Sequence, residues 1–215
     1  MQLQKKKAVV TRENNLYTSY QRKINDLEYD EVSSVTWVRQ NMEDIKEYLS
    51  ETNLSDFPST VCVSNTLDDK ELEIFFKSFP QDLDEMRRGH EKIIDDIRGL
   101  LKIHAALNPK RFMQIKIIRN KHEAKNADYG FNDNEINLVC SFSGPSVQWV
   151  ETNDYVYESE KVFLKDDFKT KTVDENSVIV FKGSTYPAKK PSPLIYRFHD
   201  GCELAILITS YMAEH

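Results

Sequence analysis

Ile136-Asn137-Leu138-Val139-Cys140-Ser141-Phe142-Ser143-Gly144-Pro145-Ser146-Val147-Gln148-Trp149-Val150 is the stretch around which the rest of the chain can be arranged. Ile136, Leu138, Cys140 and Phe142 alternate with Asn137, Val139 and Ser141, which is the two-residue period of a strand with one well-buried face. Gly144-Pro145 stops that strand. Val147 and Trp149 then resume an extended pattern, so the spacing predicts strand, tight turn, strand.

Outward from this stretch, everything after Pro109 reads as strand. Residues 112–118 alternate, and β-rich runs follow at 155–164, 177–181, 194–198 and 204–209 with turn residues between them. Before Pro109 the period is mostly helical. A short strand is predicted at 32–39, followed by a helix carrying Met42, Ile45, Tyr48 and Leu49. Pro58 opens a second extended piece through Val61, Cys62 and Val63. Thr66 with Asp69 then resembles a capping box, and Leu72, Phe75, Phe76 and Phe79 share one helical face. A longer helix is predicted at 83–107, where Ile93, Ile94, Ile97, Leu100, Leu101 and His104 repeat at three and four until Asn108-Pro109. Gly89 and Gly99 weaken it, and Asp82, Asp84 and Glu85 suit the positive end of its dipole.

Helices first and strands second argue for an α+β fold, with amino-terminal helices (about 40–108) packed on a carboxy-terminal antiparallel β-barrel or sheet (about 110–212). Residues 31–215 form a single domain in this reading. Residues 1–30 are polar, anchored only by Val9, Val10, Leu16, Ile24 and Leu27, and read as a loosely docked arm.

With 215 residues the chain can bury one substantial core. A net charge of -6 and a pI of about 5.5 argue against an extended nucleic-acid footprint. Lys5-Lys6-Lys7 precedes no apolar run, and no window has the length of a membrane span. Cys62, Cys140 and Cys202 are widely spaced, at least two of them inside apolar strand patterns, which fits a soluble protein in a reducing cytoplasm. The six glycines build no phosphate loop, and no Gly-x-Ser-x-Gly elbow or Cys and His catalytic pairing occurs. Kinase and hydrolase chemistry are excluded on those grounds.

The order of features is informative as a set. A strand with Trp37 and Arg39, two amphipathic helices, Ser143-Gly144-Pro145-Ser146-Val147-Gln148-Trp149, then Val178-Ile179-Val180-Phe181-Lys182-Gly183 and a closing Tyr196-Arg197 resembles the bacterial "domain of unknown function 1826" family from about residue 24 to 212. The resemblance implies a cupin-like double-stranded β-helix. It also implies a Phe-His-x-Asp segment before the first turn and His-Arg in the closing strand, similar to the two-histidine, one-carboxylate site of non-haem iron enzymes. Here Phe131-Asn132-Asp133-Asn134 and Tyr196-Arg197 stand in those places. A facial triad needs neutral imidazoles, which Asn132 and Tyr196 do not supply.

Five residues are therefore expected to line a ligand site: Asn132, Trp149, Lys182, Tyr196 and Arg197. For each a structural role is the competing reading. Trp149 either stacks on a ligand or closes the core. Arg197 either holds a carboxylate bidentately or ion-pairs within the fold. Lys182 either reaches over a pocket or stays solvated beside a Gly183 turn. His104 reads as a core-edge histidine. The leading expectation is a metal-free binding protein for a small acidic ligand or a protein partner, with no cofactor. The alternative is an oxygenase-type enzyme using iron or zinc on a shifted set that includes Asp133 and His199, and a further alternative is a pure interaction domain.

Overall fold

The computed structural model describes residues 9–10, 15–29, 31–40, 42–63, 67, 69–80, 87–108, 112–119, 129–151, 154–158, 161–187 and 193–211. The readings of Thr66, of the acidic run 82–85 and of most of 189–193 lie outside them. Thirteen strands are described: β1 Val9–Val10, β2 Asn15–Thr18, β3 Ser34–Trp37, β4 Thr60–Val63, β5 Phe112–Arg119, β6 Ile136–Ser143, β7 Val147–Val150, β8 Tyr155–Glu158, β9 Lys161–Leu164, β10 Thr170–Thr172, β11 Val178–Lys182, β12 Tyr196–Phe198 and β13 Leu204–Tyr211. Three α-helices, α1 Glu43–Glu51, α2 Asp69–Lys77 and α3 Arg87–Leu107, and the 3-10 segments Gln21–Glu28 and Leu54–Asp56 complete the described elements. None of the described helices is long and apolar enough to cross a membrane.

An eight-stranded sheet has the order β1-β2-β3-β11-β6-β13-β5-β4, and a three-stranded sheet has the order β10-β7-β12. The small sheet is extended at one edge by a bridge between Gly130 and Tyr196. Taken along the chain, β5, β6, β11 and β13 belong to the large sheet, while Gly130, β7, β10 and β12 belong to the small one. The chain thus winds repeatedly from one sheet to the other. The fold is mixed α+β, as expected from the segregated pattern. Among the described residues no strand pair joins the two sheets, so they form a two-layer sandwich instead of the closed barrel expected.

Strand β6 shows why the layers assemble. Its side chains Ile136, Leu138, Cys140 and Phe142 enter one apolar cluster with Met113, Ile115 and Ile117 of β5, Ile206 and Ile208 of β13 and the inner faces of the helices. Those faces are Ile45, Tyr48 and Leu49 on α1, Leu72, Phe75 and Phe76 on α2, and Ile93, Ile97, Leu100 and Leu101 on α3. Phe79, just past α2, joins edge-to-face ring contacts with Phe57, Phe75 and Phe76 at 5.0–5.6 Å between centroids. Each such ring contributes about 1.5–3 kcal/mol by leaving water. On the opposite face of the sheet, Val139, Ile179, Phe181 and Leu207 meet Val147, Trp149 and Tyr196 of the small sheet in a second cluster. Residues 136–142 are consequently buried on both sides, not on the single face that alternation suggests. The "polar" face of this strand is covered by a second sheet that lies elsewhere in the sequence.

The amino-terminal segment also differs from expectation. Asn15–Thr18 pairs in parallel with β3, and Leu16, Ile24 and Leu27 are buried in the main core, so this segment adds a strand to the large sheet and a 3-10 turn packed against it. Its few apolar side chains all fall at anchor positions, which composition alone does not reveal. The run 155–164 is a hairpin, β8 paired antiparallel with β9, not one strand.

Candidate functional site

Two tight turns hold the loop that precedes β6. Backbone bonds join Gly130 N to the Tyr196 carbonyl at 3.0 Å and Tyr196 N to the Gly130 carbonyl at 2.8 Å, which lays residues 130–132 along β12. At the end of β11, Gly183 N donates to the Glu135 carbonyl and Ser184 N to the Asn132 carbonyl, both at 3.0 Å. A Cβ at Gly183 would overlap the carbonyl oxygens of Asn134 and Asn132, so the Phe-Lys-Gly turn requires glycine for close backbone approach. Gly144, at φ +74°, meets a related need at the far end of β6, where a Cβ would overlap the Gly201 carbonyl.

The loop delivers Asn132 to a polar cluster inside the sandwich. Asn132 Nδ2 donates to Asn137 Oδ1 at 2.9 Å and to the Tyr196 hydroxyl at 2.8 Å. Asn137 lies on the β6 face that meets the small sheet and is fully buried, opposite Phe181 and Thr209 in the ladders. The Tyr196 ring is 4.9 Å from Phe181 and 6.1 Å from Phe198, which closes the cluster with aromatic walls. Burial pushes the Tyr196 phenol well above its ordinary pKa, and the bond from Asn132 only partly offsets this. The hydroxyl therefore stays protonated near neutral pH. Both Asn137 Nδ2 and Trp149 Nε1 are buried without a hydrogen-bond partner. The layer between the two sheets thus holds two buried donors without a hydrogen-bond partner.

Of the five residues expected to line a site, Asn132 and Tyr196 are joined by a hydrogen bond and Trp149 pairs beside Tyr196 in the same apolar cluster, and Asn137 is the partner that sequence reading missed. Its signal was present: an amide at an alternating position of a strand whose other face is wholly apolar. Trp149 is fully buried, so it closes the core and does not stack at an open mouth; the Lys171 ammonium lies 5.2 Å from its ring. Arg197 is not inward-facing. Because Tyr196 and Phe198 take the inner positions, the two-residue period turns Arg197 to the outer face of the small sheet. There its Nε and Nη2 donate to Gln148 Oε1 at 3.1 and 2.9 Å, and its guanidinium sits 4.9 Å from the Tyr129 ring centroid. Lys182 shares the helix-side face with Val178 and Val180. Its ammonium donates to the Tyr29 carbonyl at 2.8 Å and lies 4.6 Å from the Tyr186 ring, which makes it a buried fastener.

The shifted metal set does not assemble. Asp133 accepts from Ser184 Oγ at 3.1 Å beside the start of β6. His199 Nδ1 accepts from Gly201 N at 2.9 Å, and the His199 backbone N–H donates to the Ser146 carbonyl at 3.0 Å, beyond the end of β6. Seven residue steps of strand separate these ends by roughly 20–25 Å. In the Phe-His-x-Asp register the carboxylate position is moreover Asn134, not Asp133. The positions where the resemblance places iron ligands thus hold two amides and a phenol, and the Asn132 amide aims its N–H donors into the cluster, the wrong polarity for a cation. This donor set does not fit the metal. Among the described residues no group of three His, Cys, Asp or Glu side chains is arranged to hold one.

No curated protein matches the chain. Among solved structures it is similar to the dioxygenase for auxin oxidation (DAO) in rice, at 9% identity and a TM-score of 0.46, with 82% of this chain and 72% of that chain covered. The family model described as "Protein of unknown function (DUF1826)" matches residues 19–198. With most of its length matched, the chain belongs to the DUF1826 family.

Proposed function

We propose that this chain is a cytoplasmic double-stranded β-helix protein whose centre has exchanged a metal for a hydrogen-bonded amide and phenol cluster, and that it acts by binding a small ligand, without metal-dependent turnover. The winding of β5, Gly130, β6, β7, β10, β11, β12 and β13 between two facing sheets supports the architecture. One observation carries the functional part: Asn132 bonds both Asn137 and Tyr196 at 2.9 and 2.8 Å, so the two positions that would supply imidazoles are committed to each other.

Anaerobic reconstitution with iron, zinc, nickel or manganese, read by elemental analysis, tests this. The wild-type protein is expected to retain far less than one equivalent of any of them. The triple variant Asn132→His, Asn134→Asp, Tyr196→His is expected to gain a stoichiometric site. A stoichiometric metal in the wild type that Asp133→Ala or His199→Ala removes would overturn the reading.

A further inference from the structure

The polar cluster holds donors that no acceptor takes up. Asn132 uses both hydrogens of its amide, one on Asn137 Oδ1 and one on the Tyr196 oxygen. That leaves the amide hydrogens of Asn137, which is fully buried with Nδ2 unpartnered, and the hydroxyl proton of Tyr196, which only accepts in this cluster. Asn137 and Tyr196 bond the same amide group, so their free donors lie within reach of one small molecule. Trp149, opposite Tyr196 in the β7–β12 ladder, contributes another buried and unpartnered N–H to the same layer. Leaving such groups unpaired is unfavourable, and an acceptor placed among them recovers that loss.

The carboxylates of the neighbouring loop are turned elsewhere. Asp133 faces Ser184 outside, and Glu135 takes the Asn108 amide at 3.1 Å on the helix side. A molecule entering the cluster therefore meets N–H and O–H groups without a facing negative charge. Neutral donors of this kind hold an anion through charge-assisted hydrogen bonds. The phenol suits the task because burial keeps it protonated.

From this geometry we infer that Asn137 and Tyr196 form the recognition site for a small carboxylate, of the size of formate or acetate or the terminal carboxylate of a slender metabolite. One oxygen of a carboxylate would accept from Asn137 Nδ2 and the other from Tyr196 Oη, the two groups that share the Asn132 amide. The inference rests on the metal-free reading above, but its test has a separate readout. Metal analysis decides that reading, whereas carboxylate-dependent stability decides this one.

The experiment is thermal unfolding of the full chain in sodium acetate and sodium formate against sodium chloride at matched ionic strength, over the millimolar range. A saturating rise of about 3–6 °C at tenfold excess over the Kd is expected for the wild type, by preferential binding to the folded state. Asn137→Asp replaces two donors with a negative charge and should abolish the rise. Tyr196→Phe removes only the hydroxyl proton donor and should weaken apparent affinity about tenfold, since one hydrogen bond to a charged group is lost. Equal melting temperatures in carboxylate and chloride, or a rise of the same size in Asn137→Asp, would overturn the proposal. The second result would identify a general salt effect. Should Asn137→Asp fail to fold, the conservative Tyr196→Phe decides alone: an unchanged response sinks the site.

Discussion

The two faces of strand β6 treat polar groups in opposite ways. On the helix-covered face Arg39 and His104 tie separate layers together. Arg39, which follows β3 and has a side chain only 4% exposed, ion-pairs with Asp96 of α3 at 2.5 Å, donates to Cys140 Sγ at 2.9 Å and reaches the Asn176 carbonyl. Burial opposes its charge, but Cys140 and Asp96 more than offset this and its pKa is raised. His104 of α3 lies 3.2 Å from the Ile136 carbonyl and is fully buried. On the small-sheet face the buried polar groups bond mainly within their own cluster and leave donors over. The helix-side groups bridge separate layers, although Asp96 Oδ2 and His104 Nδ1 also lack partners, whereas on the small-sheet face the atoms without partners include the donors Asn137 Nδ2 and Trp149 Nε1.

Breaking that contrast takes variants on both faces. The largest effect is expected from Asp96→Ala, which leaves a buried guanidinium without its anion and should cost about 3–5 kcal/mol in urea unfolding. Asn132→Ala should cost less, about 1–3 kcal/mol. Equal losses in the two variants would erase the distinction between the faces.

The second test is pH. Burial lowers the His104 pKa to about 4, against a partial opposing effect of the Ile136 carbonyl. Between its ordinary value of about 6.5 and 4 the unfolded chain takes up a proton that the folded chain refuses, so stability is full above that window and falls as pH drops through it. The loss should approach roughly 3 kcal/mol near pH 4, and His104→Gln, which keeps a donor for Ile136 but does not titrate, should flatten the curve. A curve unchanged by that substitution would mean that His104 is not the linked group.

The smallest expected effect joins a turn to the cluster. Gly183→Ala forces a Cβ against the loop carrying Asn132, at a cost of about 1–3 kcal/mol, and should diminish any carboxylate response with it. Were stability lost while the response stayed intact, the loop would not be what positions the cluster.

Much of the helix-side core was legible in the chain itself. Leu72, Phe75, Phe76 and Phe79, or Ile93, Ile97, Leu100 and Leu101, meet the core because a 3.6-residue period presents them on one face, and all are buried. The turn motifs were legible too, although the reason for Gly183 appears only once the 132–135 loop lies against it. Arg197 and Lys182 stand on faces that their spacing does not announce. Alternation fixes which neighbours share a face, but not which face looks inward. Asn137 was overlooked because a polar residue at alternating spacing signals solvent unless a second layer covers it.

Local pattern by itself therefore determined the element types, the helix-facing apolar set and the Asn and Tyr substitutions at positions where the family resemblance implies histidine. These depend on periodicities and residue identities written along the chain. Only the tertiary structure decided that residues 15–18 join the sheet, that both faces of β6 are buried, and that Asn132, Asn137 and Tyr196 form one cluster. Those outcomes depend on pairing between segments far apart in sequence, Gly130 with Tyr196 and β11 with β6, and no local period encodes the partner.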